Sequence, residues 1–344
     1  MLLDHIGARG DHAVQIIVLQ PVRTIRPMND RRAKVPRPPH PHRRNEPLPS
    51  QSPKSPIEDP DAPARIAAIM KSPGYRLAEQ DVEFVGSDAM RGLRLQLEYQ
   101  KPELLLEEHA IAHTIVVYGS TRICESGMAR RNLEALRAAH AGKPADAESA
   151  RRLAVAERIL AKCHYYDVAR AFGRLVGEVG RSPGTPCIAV VTGGGPGIME
   201  AANRGSFDVG ANTIGFNIDL PHEQYPNPYV TPDLCVRFHY FALRKLHFVM
   251  RAKALVAFPG GFGTLDELFD VLTLVQTRKM KPVPIVLVGE AYWRRAVDFD
   301  FLLEEGVIAQ EDRALFWFAE TAEEIWRGIL DWHEAAGEPL CQAG

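Results

Sequence analysis

Ala254-Leu255-Val256-Ala257-Phe258-Pro259-Gly260-Gly261-Phe262-Gly263-Thr264-Leu265-Asp266-Glu267 passes from an apolar run, through a glycine-rich turn, into an amphipathic stretch. Ala254 to Phe258 reads as a buried strand, and the stretch from Leu268 to Thr277 reads as a helix. Strand, glycine turn and helix start in that order build an anion site. Unpaired backbone N–H groups and the positive end of the helix dipole face one point. Gly260, Gly261 and Gly263 let a phosphate approach the backbone closely. Glu267 falls in the first turn of the helix, an odd place for a carboxylate in a mere anion loop, and so a candidate for chemistry. Thr264-Leu265-Asp266-Glu267 also fits a capping box, T-x-x-E, which stabilises any helix start.

Outward from this stretch, short apolar strands alternate with helices. Thr114 to Tyr118 is a strand ending in Gly119-Ser120-Thr121-Arg122. A helix over Met128 to His140, a break at Gly142-Lys143-Pro144 and a long helix over about Glu148 to Val179 follow. Cys187 to Val191 is the next strand and ends in Thr192-Gly193-Gly194-Gly195-Pro196-Gly197, with a helix over Ile198 to Val209. Thr213 to Ile218 and Leu234 to Phe238 are short strands, and Phe241 to Ala252 is a helix. Pro284 to Val288 is a last strand, with helices near Tyr292 to Glu305 and Ala322 to Glu334, against which Trp317 and Trp326 pack. Upstream, Ala64 to Met70 and Arg91 to Glu108 read as helices, the second interrupted by Pro102. The alternation predicts an α/β fold: a doubly wound, Rossmann-like parallel sheet with helices on both faces, over about residues 111 to 335. Ligands of such sheets bind outside the carboxyl ends of the strands, so the turns at Ser120, at Gly193 to Gly197 and at Gly260 to Gly263 should share one cleft.

Residues 1–60 differ in kind. They hold eleven of the chain's 26 prolines and a basic cluster at Arg31, Arg32, Lys34, Arg37, Arg43 and Arg44, and read as a disordered extension. Met28 is a candidate translation start, which N-terminal peptides preceding it would exclude. Residues 61–110 form an N-terminal helical segment and 336–344 a C-terminal tail. The net charge of −2 over 344 residues gives no global signal for nucleic acid or membrane. Cys124, Cys163, Cys187, Cys235 and Cys341 form no C-x-x-C pair and read as reduced thiols of a cytoplasmic protein. His222, His239 and His247 lack compact metal-ligand spacing, and the chemistry calls for no metal and no cofactor. Neither glycine turn completes G-x-G-x-x-G, and no G-x-x-x-x-G-K-[ST] occurs, so two short anion loops suit a mononucleotide or sugar phosphate.

At this point the chain resembles the LOG family. Pro259-Gly260-Gly261-Phe262-Gly263-Thr264-Leu265-Asp266-Glu267 matches its P-G-G-x-G-T-x-x-E signature, Arg244-Lys245 its Arg-Lys pair on the preceding helix, and Gly193-Gly194-Gly195 with Met199 its triple-glycine turn. The resemblance implies hydrolysis of the N-glycosidic bond of a purine nucleoside 5′-monophosphate, AMP or a cytokinin nucleotide, to free base and ribose 5-phosphate. It departs from the compact plant-like members, whose helix reads M-H-x-R-K where Phe241, Ala242 and Leu243 precede Arg244. Glu200 stands where those members place glycine. Longer bacterial members look more like this chain.

Chemistry and resemblance together assign roles. A carboxylate near C1′ stabilises the oxocarbenium character of the breaking bond and orients the attacking water; this is Glu267. Arg244 grips substrate oxygens and holds that carboxylate, with Lys245 beside it. Gly260, Gly261, Gly263 and Thr264 bind the phosphate. Gly193, Gly194, Gly195, Gly197, Met199 and Ser120 line the ribose and base. By default Glu200 is a first-turn acid favouring its own helix dipole. The resemblance also implies a homodimer or larger homo-oligomer. The alternative function is a non-catalytic nucleotide or molybdenum-cofactor carrier of the same fold. A lysine decarboxylase would need a Schiff-base lysine and a pyridinium partner, for which the sequence offers no pattern.

Overall fold

Seven strands carry the apolar runs: β1 (Ile111–Tyr118), β2 (Cys187–Thr192), β3 (Thr213–Ile218), β4 (Cys235–Phe238), β5 (Ala252–Ala257), β6 (Ile285–Val288) and β7 (Phe316–Ala319). All pair in parallel, in the order β4-β3-β2-β1-β5-β6-β7. The structure is a computed structural model and describes residues 40–44, 46–48, 52–141, 146–181, 187–221 and 225–340. The readings placed on residues 1–39, on Gly142-Lys143-Pro144, on His222 and on Cys341 lie outside these.

The chain divides into two compact units, Met1–Arg76 and Leu77–Gly344. The first contains α1 (Ala62–Lys71), which starts with a proline in its first turn, where a missing N–H costs nothing. The second opens with α2 (Val82–Gly86) and α3 (Arg91–Glu108), then adds α4 (Ser126–His140), α5 (Ala147–Ala161), α6 (His164–Gly180) and α7 (Ile198–Asp208). After β4 come α8 (Phe241–Met250), α9 (Phe262–Gln276), α10 (Glu290–Ala296), α11 (Phe299–Glu304) and α12 (Ala322–Ala335).

The near-continuous apolar strands are sandwiched because their alternate residues enter two separate cores. Val116 and Tyr118 of β1, with Leu255 and Ala257 of β5, pack with Phe248, Leu268, Val271 and Trp293 of α8, α9 and α10. Ile115 and Val117, with Ala254 and Val256, pack with Phe172, Ile198 and Ile325 of α6, α7 and α12. This is the doubly wound sheet that the alternation predicts. From β1 the chain winds outward to β4, then returns and places β5 on the other side of β1. The winding reverses at the β1–β5 pair, and the carboxyl ends of those strands splay into the crevice where such sheets hold ligands.

Three expectations fail locally. The long helix over Glu148 to Val179 is two helices, α5 and α6, broken at Lys162 and Cys163. Neither residue is a helix breaker. The break follows from packing: α5 pairs with α4, while α6 lays Tyr166, Ala169, Phe172 and Val176 into the core. The stretch from Tyr292 to Glu305 is likewise split, because Asp298 accepts a hydrogen bond from the Phe301 amide (2.9 Å) and starts α11 afresh. β7 went unread; it is four residues long and pairs with β6 through Ile285 and Phe316, while its Trp317 still packs on α12 at Gly328.

Candidate active site

β5 ends at Ala257, and helix α9 begins at Phe262 with Gly261 as its N-cap, three residues before the cap that the T-x-x-E pattern places at Thr264. Thr264 is therefore the third helical residue, and no side chain caps the helix start. The capping box does not form; among the described residues a box of that type closes at Thr321 and Glu324, on α12. Glu267 accordingly sits in the second turn. The amides of Gly261, Phe262, Gly263 and Thr264 are left pointing out of the helix start, the arrangement an anion needs. The rest of the turn is tied down. The Ser120 amide donates to the Pro259 carbonyl (3.0 Å), and the Tyr292 hydroxyl donates to the Gly260 carbonyl. A Cβ on Gly260 would lie 2.1 Å from Thr264 Oγ1, so only glycine lets the turn fold over that hydroxyl. Gly261 and Gly263 face open space.

Glu267 points neither at solvent nor at apolar interior alone. Its Oε1 lies 3.2 Å from Arg244 Nη1, and both side chains are nearly buried. Arg244 is fixed on three sides. Its Nε donates to the Phe216 carbonyl (2.7 Å), and its guanidinium lies over the Phe248 ring at 5.1 Å. Its Nη2 lies against Gly193, where an added Cβ would come within 2.6 Å of it and 2.9 Å of Met199 Sδ. Arg244 thus bridges the triple-glycine turn and the glutamate. Burial pushes the Glu267 carboxyl up from 4.5 to about 7; Arg244 pulls it down and Asp266 adds to the rise.

The triple-glycine turn is held by residues that the sequence reading passed over. Asn227 donates from its backbone amide to the Gly194 carbonyl (2.8 Å) and from Nδ2 to the Gly195 carbonyl (3.0 Å). The Thr192 hydroxyl accepts from the Gly194 amide (2.9 Å) and donates to Asn203 Oδ1 (2.7 Å). The signal available in the sequence was polar side chains, Thr192 and Asn203, beside apolar runs. Gly194 and Gly197 both have φ near +70°, a region few other residues enter. Gly197 also abuts the Ser120 carbonyl, so the turns after β1 and β2 touch.

The structure therefore brings Arg244, Glu267, Gly193 and Met199 into contact, and Ser120 to the Gly260–Gly261 turn. Lys245 goes elsewhere: its ammonium pairs with Asp266 (2.8 Å). Glu200 accepts a hydrogen bond from the Tyr166 hydroxyl (2.8 Å). A cavity of about 300 Å³ over Pro259, Gly260 and Gly261 is lined also by Ser120, Arg122, Arg158, Lys162 and Tyr292. A larger one, about 890 Å³, opens at the amino ends of β1 and β5 beside His113, Lys253 and His333, away from every glycine turn. Open-sheet ligands bind at the carboxyl ends, so the smaller cavity lies at the candidate phosphate turn, while Arg244, Glu267 and the triple-glycine turn do not line it. Among the described residues, no group of three or more His, Cys, Asp or Glu is placed to hold a metal ion.

Residues 199–329 match a family model described as possible lysine decarboxylase. A cytokinin riboside 5′-monophosphate phosphoribohydrolase of Arabidopsis thaliana is 31% identical over 163 residues, covering 45% of this chain and 74% of that protein. One from Oryza sativa subsp. japonica is 32% identical over 168 residues, covering 48% of this chain and 65% of that protein. Among solved structures, a molybdenum cofactor binding protein of Rippkaea orientalis aligns with a TM-score of 0.37 and 19% identity, over 64% of this chain and 96% of the other. The molybdenum cofactor carrier protein of Chlamydomonas reinhardtii aligns with a TM-score of 0.36 and 19% identity, over 64% and 98%.

Proposed function

This chain belongs to the LOG family, and we propose that it hydrolyses the N-glycosidic bond of a purine nucleoside 5′-monophosphate. One water is consumed: its hydroxyl joins C1′, its proton ends on the departing base, and ribose 5-phosphate is released. The observation that carries this reading is the buried Arg244–Glu267 pair at 3.2 Å, set between two glycine turns. A protein that only bound a nucleotide would need the phosphate turn but no carboxylate beside it.

In this reading the 5′-phosphate rests on the amides of Gly260, Gly261 and Gly263 and on the Thr264 hydroxyl. Ser120, Gly193, Gly194, Gly195, Gly197 and Met199 border the ribose and base. Glu267 faces C1′. As a carboxylate it offsets the positive charge that develops on the sugar and accepts the proton of the attacking water. Arg244 holds that carboxylate and supplies a permanent cation to ribose or phosphate oxygens. Lys245 steadies the edge of the site by fixing Asp266. The active form is a homodimer of a cytoplasmic protein. Cys124, Cys163, Cys187 and Cys235 are free thiols, which suits a reducing compartment. No helix among the described residues is long and apolar enough to cross a membrane.

The test is incubation of the purified protein with AMP and related nucleotides, followed by chromatography for free base. Adenine and ribose 5-phosphate should appear in equal amounts, and Glu267→Gln should abolish both while AMP still binds. Binding without release across a panel of nucleotides would point to a carrier instead.

A further inference from the structure

β1 and β2 are joined by three helices, where a parallel crossover needs only one. α6 serves that purpose by covering the sheet. α4 and α5 form an added hairpin, bridged by Arg137 and Glu157 (2.8 Å), and α5 buries none of its residues. Yet the end of α5 reaches the catalytic turn. Arg158, in the last turn of α5, and Lys162, its C-cap, line the cavity over Pro259-Gly260-Gly261, and Arg122 lines it from the turn after β1. No carboxylate lines this cavity.

The cations converging there are under-neutralised. Lys162 donates to the Arg158 carbonyl (3.1 Å). Among the described residues, the Arg122 and Arg158 guanidinium groups have no ion pair, whereas Arg137 and Arg151 of the same hairpin do. All three line the same cavity as Gly261, the N-cap of α9, where the positive end of that helix dipole lies. Like charges gathered round one cavity repel each other unless an anion sits among them.

We propose that Arg122, Arg158 and Lys162 form a cationic clamp that closes on the substrate's 5′-phosphate from the side opposite the glycine amides. The α4–α5 hairpin is then the part of the chain that selects a nucleotide over a nucleoside. This rests on the reading that the substrate is a nucleoside monophosphate. Charge-assisted contacts to a phosphate are among the strong hydrogen bonds, and α5 brings two of them at no cost to the core.

The experiment is calorimetric titration of the full chain with ribose 5-phosphate, with ribose as the control, alongside AMP kinetics. The double variant Arg158→Gln, Lys162→Gln should bind ribose 5-phosphate about 10- to 100-fold more weakly. KM for AMP should rise by a similar factor with a smaller fall in kcat, and Arg158→Lys with Lys162→Arg should recover most of the loss. Arg158 sits on α5, which has no buried residue, and Lys162 is its half-buried C-cap, so a circular dichroism melt should change little. Unaltered affinity of the double variant for ribose 5-phosphate overturns the clamp, even if AMP is hydrolysed. If AMP is not hydrolysed but the variant still weakens ribose 5-phosphate binding, the hydrolase reading fails and the clamp stands.

Discussion

Glu267 carries an ionisable proton near neutrality because burial outweighs the neighbouring arginine. On the proposed mechanism the active form is the carboxylate, so kcat/KM should rise with pH through a limb near 7. Arg244 lowers that value, so Arg244→Gln should move the limb of its residual activity to higher pH. A limb that stays put in the variant, or lies near 4.5 in the parent, removes Glu267 as the titrating group. The same shift bears on stability. The folded-state value, about 7, lies above the unfolded 4.5, so the fold favours the protonated form. Stability therefore falls as pH rises between those values, and the full cost is present above 7. A shift of that size corresponds to roughly 3 kcal/mol at most. Glu267→Gln should thus be more stable than the parent in urea at pH 8, by up to about that amount, and no more stable at pH 4. Equal midpoints at pH 8 would show that the carboxylate is hydrated rather than buried.

The glycine turns show what a local element does that a single side chain cannot. At Gly193 an added methyl would meet side-chain ends, those of Arg244 and Met199, and not backbone. At Gly197, φ is +74° and the methyl would lie 2.4 Å from a backbone carbonyl, that of Ser120. Gly193→Ala should therefore fold with a smaller loss than Gly197→Ala yet lose activity by displacing Arg244 from Glu267, while Gly197→Ala should lose more than about 2 kcal/mol. Thermal melts and AMP turnover on both variants separate the two; the reverse ranking would refute the geometry. Such elements also mark how far the sequence could be read. Strands and turns were legible because apolar runs and glycines are local signals, and the Gly260 to Thr264 turn was found from them. The α5–α6 break was not, since Lys162 and Cys163 carry no breaker and only packing on α4 and the sheet divides the helix. The T-x-x-E pattern at Thr264 misled for a related reason: the helix starts at Phe262, so the residues that spell a cap lie inside it. Asn203 and Asn227, which pin the triple-glycine turn, are 24 residues apart and meet only in the fold (2.9 Å).

At the scale of the whole molecule, the reversal of winding between β1 and β5 explains why residues as distant as Ser120, Gly193, Arg244 and Glu267 meet at one end of the sheet. The same two helices that bear Arg244 and Glu267 also carry apolar side chains on their outer faces. On α9, Phe262 and Phe269 are exposed, Phe262 at 92%, with the half-buried Leu265 and Leu272 beside them at helical spacing. On α8, Phe241, Leu246 and Met250 are exposed as well. Exposed apolar side chains gathered on neighbouring helices are a candidate interaction surface. Its position on the helices that carry Arg244 and Glu267 leads to the prediction that a second copy steadies that pair. Light scattering coupled to size exclusion should give twice the chain mass of 38.2 kDa. Leu246→Asp combined with Phe269→Asp should give a folded monomer in which kcat falls more than AMP affinity. A parent that runs as a monomer at micromolar concentration, or a monomeric variant with full kcat, would show that each subunit assembles its site unaided.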